Sequence, residues 1–296
     1  MTMTARTEAA DRPLARVVAD ISDFANREGS TRAVALVRIL IILLVLVKWG
    51  EDLAFFSATA PGVVYLSPLF FLAAGAALIG WRTKPALFAL TILLAVFYFG
   101  YGQRFGVNEW AHHHSYMLLF VVTMLNGAPC EKSYSVDRWL AVRRAARRGE
   151  AAPAERGPLW AQSLIILQLA ALYFWTAVDK TEWRFLNGER LERIFEWAYA
   201  GHPAYALLTQ SWLLAASSTA VVIIEYFLAY ALLAGRFKRG AFAIALVLHI
   251  GFYFFLKVDT YSATMLVLYL LYASPERVHR AIDELQGYGA EGNAAA

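Results

Sequence analysis

The stretch YFWTAVDKTEWRFLNG (173–188) places an aspartate and a lysine, Asp179 and Lys180, directly after a membrane-grade apolar run. An amine at that lip has two readings. As an anchor it snorkels from the helix end into the headgroup layer. As a general base it must be unprotonated, the form that a low-dielectric setting favours. Adjacent helical positions diverge by about 100°, so Asp179 need not face Lys180.

Ionisable groups inside apolar runs are costly and usually face an interior cavity, which makes each a functional candidate. Arg38, Lys48, His112 to His114, Glu225 and His249 meet that description. In HHHSYMLLF (112–120) the three histidines point in different directions, so they cannot all serve one metal; a metal site would need a partner such as His249 or Glu225. They are otherwise water-facing at an interface, or one turns inward as a proton carrier or hydrogen-bond donor. His249, in ALVLHIGFYFF, is either a satisfied core histidine or a pocket liner. Glu225, in VVIIEYFLAY, must be protonated or paired with a cation such as Lys48 or Arg38.

These groups need a scaffold, and composition says which. The 296 residues are 59% hydrophobic with a mean hydropathy of +0.47, and the excess lies in long runs such as AVALVRILIILLVLV (33–47). A hydrocarbon core of ~30 Å needs roughly 20 such residues per helix. Eight spans are expected, near 33–56, 63–80, 85–101, 112–127, 159–178, 212–234, 240–257 and 260–274, with seven or nine as alternatives. The fold class is an all-α polytopic membrane bundle. Its parts are a cytoplasmic segment (1–30), a transmembrane domain (31–280) and a flexible tail (281–296). The polar N-terminal stretch does not read as a cleavable signal peptide.

Charge fits this division. With both termini inside, the inner segments carry 19 Lys/Arg and the outer ends and loops carry 7, the bias that retention of basic loops in the cytoplasm produces. The fifth span then rises outward to Lys180 and the fourth descends from His112–His114, so these groups share the outer face. The segment 138–157 reads as an inner basic loop whose first half suits a surface helix on anionic lipid. The segment 181–210 reads as a re-entrant or interfacial helix-loop over the bundle. Cys130, the single cysteine, has no internal disulfide partner. Phosphate loops, zinc-type spacings and nucleic-acid modules are missing from the sequence, so nucleic-acid partners and a resident metal are not expected.

Several segments, in order, resemble one family. They are HSYMLLF (114–120), YSVDRWLAVRR (134–144), PLW (158–160) before the span ending YFWTAVDKTEWRFLNG, a histidine in the seventh span, and YASPERV (272–278) after the last. Over residues 30 to 280 the chain resembles the membrane domain of the vitamin K-dependent gamma-glutamyl carboxylase, in its bacterial HTTM (horizontally transferred transmembrane) branch. The resemblance implies Lys180 as the base that deprotonates a vitamin K- or menaquinone-type hydroquinone, with oxygen and CO2 as co-substrates and His114 as its helper. It implies His113, Tyr173, Trp183 and His249 as pocket liners, and a multi-pass protein of the bacterial inner membrane. The family's asparagine is His113 here, and its basic residue before the lysine is Asp179. The carboxylase's large extramembrane domain has no counterpart in these residues. What is implied is therefore the hydroquinone-oxidising core, acting for an exported peptide or protein. The alternative is a non-catalytic lipid- or quinone-binding module that helps such a peptide mature or leave.

Overall fold

The computed structural model describes residues 22–55, 62–256 and 259–285. A short strand β1 (Glu28–Ser30) leads into helix α1 (Arg32–Ala54). Then follow α2 (Val63–Ile79), α3 (Thr83–Arg104), α4 (His113–Gly127), α5 (Val136–Arg147), strand β2 (Arg156–Pro158) and α6 (Trp160–Lys180). The connection after α6 folds into α7 (Trp183–Leu186), α8 (Glu189–Tyr199) and α9 (Tyr205–Leu208), before α10 (Ser211–Ala234), α11 (Lys238–Leu256), α12 (Asp259–Tyr272) and α13 (Pro275–Leu285). All eight segments expected as spans are helical. Among the described residues five helices are long and apolar enough to cross a membrane: α1, α3, α6, α10 and α11. Helix α2 and residues 260–272 of α12 are shorter apolar helices. Helices suit these runs because a chain in hydrocarbon must satisfy its own backbone hydrogen bonds.

One end of the bundle is tied by polar contacts, and the sequence motifs at 134–144 and 158–160 are its joints. Ser135 accepts the Arg138 N–H at 2.9 Å and caps α5. Asp137 caps a different helix, accepting the N–H groups of Arg82 and Thr83 at 2.9 and 2.8 Å at the start of α3. Strands β1 and β2 pair antiparallel, and Arg32 joins Glu155 at 2.8 Å and Asp283 at 2.5 Å. Arg38, fully buried, donates to the Tyr134 carbonyl at 2.6 Å. Trp160 lies so close to Gly127 that a Cβ there would sit 2.3 Å from its ring. The Tyr272 hydroxyl donates to the Arg236 carbonyl at 2.7 Å, so the α10–α11 turn and the end of α12 share this end. Near the other end, Trp110 donates to Asp52 at 2.9 Å and packs on Phe97 and Tyr101 in the last, π-wound turns of α3.

Helix α13 continues to Leu285, past the expected boundary at 280, and docks through the Asp283–Arg32 pair and a 2.7 Å bond between His279 and Ser30. The expected tail from 286 onward lies outside the described residues, as do residues 1–21 of the N-terminal segment. The segment 181–210 folds into three short helices, of which α7 packs against α10, α8 against α10 and α11, and α9 against α8. The Leu186 carbonyl accepts from Thr219 at 3.5 Å. Tyr199 donates to the Phe254 carbonyl at 2.9 Å.

Candidate functional site

On α6, positions 173, 177 and 180 fall on one face, because three and four residues are each close to one turn. Tyr173 and Ala177 are buried there, and Lys180 ends the same stripe. On α10 the buried stripe is Leu214, Ser218, Val222 and Glu225. Packing α6 along α10 brings Lys180 Nζ to 2.5 Å from Glu225 Oε1, with the side chains 22% and 4% exposed. Glu225 thus finds a cation, as a buried acid must, and that cation is Lys180. Arg38 is engaged at the far end of the bundle with Tyr134.

Asp179 turns the other way. It is mostly exposed and faces Arg190 at 3.6 Å, while Arg190 also holds Glu182 at 2.7 Å. The expected divergence of neighbouring helical positions is what the chain adopts.

The pair sits well inside the length of α10. Glu225 lies fourteen positions into α10, roughly 21 Å along its axis at 1.5 Å per residue. Helix α6 therefore ends beside the middle of α10, and the N-terminal half of α10 is packed by α7 and α8 instead. Gly188 makes that packing close. It has φ +89, and a Cβ would lie 2.5 Å from the Leu214 Cβ, so both its backbone and its missing side chain are required. Phe185 on α7 places its ring 5.7 Å from Lys180 Nζ, as does Phe252 of α11. The Lys180 amine is thus recessed, with the Phe185 and Phe252 rings each within cation–π range.

Below the pair, the Tyr173 hydroxyl and His249 Nε2 share a 2.7 Å hydrogen bond. His249 is 1% exposed, and its Nδ1 is buried without a hydrogen-bond partner among the described residues. The Phe252 ring, 5.6 Å from His249, links this pair to Lys180. Tyr261 of α12 stands 6.1 Å from His249 and 5.3 Å from His113. Of the three histidines, His113 packs on Tyr261, while His114 stacks on His112 at 5.2 Å and meets His113 edge-on at 5.5 Å. Trp183 is 78% exposed; the α7 ring that faces Lys180 is that of Phe185. Sequence reasoning missed Phe185, Phe252 and Tyr261, since aromatic residues are common in these runs and nothing local marks the ones that turn inward. Among the described residues no three His, Cys, Asp or Glu side chains converge as a metal would need.

A cleft of about 290 Å³ opens beside this cluster, between α1, α11 and α12. Leu44, Val47, Ile250, Ala263 and Leu266 make it mostly apolar, and Tyr253, Thr260, Ser262 and His249 are its polar lining residues. The arrangement offers an apolar berth that reaches an imidazole, with a paired amine close by. No curated protein and no solved structure matches the chain. The family model for the HTTM domain matches residues 32–276, a stretch that contains both the helical bundle and every residue of this cluster, and the chain belongs to the HTTM domain family.

Proposed function

We propose that this is an eight-span enzyme of the bacterial inner membrane, both ends cytoplasmic, that uses a reduced vitamin K- or menaquinone-type quinone. With oxygen and CO2 it would carry out base-driven carboxylation or closely related chemistry near the outer face, on an exported peptide or protein. Family membership supports a relation to the membrane domain of the vitamin K-dependent carboxylase. The observation that carries the reading is the recessed Lys180–Glu225 pair beside a cleft with one imidazole in its wall.

The residues fit such a ligand. Ligand pockets run from roughly 300 Å³ upward, so about 290 Å³ suits a substituted ring and not a whole isoprenoid chain. The chain would lie along Leu44, Val47 and Ile250, the last two exposed on the surface of the bundle, as apolar length prefers. The ring hydroxyls need polar partners, and the buried His249 Nδ1 is one in waiting.

When bound, a reduced quinone would supply the four electrons that reduce oxygen, one oxygen atom leaving as water and the other entering the quinone epoxide; the strong base formed on the way would take a carbon-bound proton, so that CO2 could add to that carbon. Lys180 accepts a ring-hydroxyl proton at Nζ. It has a lone pair for this only when the proton of the pair rests on Glu225, so Glu225 is the proton store. Tyr173 fixes the His249 ring. His113 and His114 approach from α4, with His114 in the helper role that the family resemblance gives it. Helices α7 and α8 cover the site and limit water, which strengthens every charge interaction inside.

The test is oxygen-dependent epoxide formation from reduced menaquinone by the protein in lipid nanodiscs, beside empty nanodiscs. Epoxide above the empty control is the expected result; quinone binding without any epoxide sinks the enzymatic reading. The non-catalytic module draws on one observation, that Lys180 and Glu225 already satisfy each other and could simply pin α6 to α10. On that reading Lys180→Ala keeps the biological effect, while substitutions in 181–210 abolish it.

A further inference from the structure

At the end of the bundle opposite Lys180, the turn between α10 and α11 and the first turn of α13 line an open pocket of about 570 Å³, formed by Gly235, Phe237, Lys238, Arg239, Gly240 and Arg277. Three of its six lining residues are cations, and Arg236 adjoins them in the chain. Among the described residues, none of the four is in a salt bridge. Asp283 of α13 is occupied by Arg32, and among the described residues no ion pair joins Glu276 to the four cations. The first turn of α11 holds Lys238 and Arg239 and no acid, although a helix start favours negative charge. Like charges gathered without a counter-charge are destabilising unless an anion sits among them.

The backbone holds this arrangement firmly. The Tyr272 hydroxyl bonds the Ala231 and Arg236 carbonyls at 2.5 and 2.7 Å, and Lys238 Nζ lies 5.0 Å over its ring. Phe237 adopts φ +57, a left-handed conformation that is an outlier for a bulky residue and tends to persist at functional sites. Its ring is 59% exposed beside the cations.

We infer that this pocket binds a phosphate group, and specifically the headgroup of an anionic phospholipid. The cations supply the phosphate contacts, and a basic pocket between helices is a fitting receptor for such a headgroup. The exposed Phe237 ring and the apolar flanks of α10 and α11 favour a lipid over a free ion, because they offer acyl chains a surface that inorganic phosphate cannot use. The site is independent of the quinone chemistry proposed above.

The test uses the full chain in phosphatidylcholine nanodiscs doped with phosphatidylglycerol, counting phosphatidylglycerol retained on the released protein by native mass spectrometry. Wild type should hold it in preference to phosphatidylcholine. Lys238→Gln/Arg239→Gln/Arg277→Gln should weaken it by on the order of 100-fold, as expected for three cations near a phosphate. The matched change at the other end of the bundle, Arg184→Gln/Arg190→Gln/Arg193→Gln, should leave it in place. Equal retention by wild type and the pocket variant overturns the assignment, as does equal loss in the Arg184/Arg190/Arg193 control. Millimolar inorganic phosphate in phosphatidylcholine-only nanodiscs separates the sources: protection against thermal unfolding as strong as that given by phosphatidylglycerol would overturn the lipid. Should the triple variant not fold, Arg277→Gln alone, at an exposed position, must still reduce retention.

Discussion

Removing Lys180 or Glu225 alone should overstate what the pair contributes to stability. Breaking a buried pair from one side leaves an uncompensated charge, typically costing about 3–5 kcal/mol, whereas removing both is often much milder. Lys180→Ala should therefore lower thermal stability more than Lys180→Ala/Glu225→Ala does; additive losses in the two single variants would show that the pair is not coupled. Tyr173→Phe should cost about 1–3 kcal/mol by leaving a second nitrogen of the buried His249 ring unsatisfied, and an unchanged unfolding midpoint would contradict that bond. Cys130, fully buried in the loop after α4, is a further probe. Burial pushes its thiol up to about 11, so the folded chain keeps a proton that the unfolded chain releases from about 9. Stability from this group should fall as pH rises from about 9 to 11, at on the order of 1 kcal/mol per unit. Cys130→Ala should flatten that decline, and an unaltered slope would rule the thiol out as its source.

At the scale of elements, the helices were readable and the contacts between them were only partly so. Apolar runs of sufficient length specify helices by themselves, and the eight expected segments are helical within a few residues at each end. The partner of Glu225 was not readable, because it stands 45 positions away and depends on how far α10 extends past the end of α6. Which histidine faces Tyr261 was equally hidden, since neighbouring positions on α4 differ by about 100° and the helix rotation is set by packing. The Ser135 and Asp137 caps were visible as a motif, but not that Asp137 caps α3 from another helix. Gly188 is the joint on which the cover over Lys180 turns. Gly188→Ala forces both a left-handed alanine and a clash with Leu214, so it should destabilise by about 1–3 kcal/mol. It should also expose Lys180 to water-soluble amine reagents; unchanged labelling and stability would mean that α7 and α8 are not held there.

For the whole molecule, the basic contacts gather at one end of the bundle and the Lys180 cluster lies toward the other, as the charge bias in the sequence anticipates. On the proposed topology, cysteines introduced by Glu150→Cys and Glu192→Cys in a Cys130→Ala background should be labelled by an impermeant maleimide from opposite sides of the membrane. Labelling of both from one side would contradict the alternating arrangement. The central claim is that Lys180 is a base and not only an anchor, and Lys180→Arg separates the two roles. Arginine keeps the positive charge opposite Glu225 but does not give up its proton in proteins. The decisive measurement is epoxide formation from reduced menaquinone in nanodiscs by wild type and Lys180→Arg, with folding and quinone binding verified for both. Product from the wild type and loss of at least about a hundredfold in the variant, the scale of general-base catalysis, is the predicted result. Epoxide at comparable rates from both proteins would contradict the account and leave Lys180 as a structural cation.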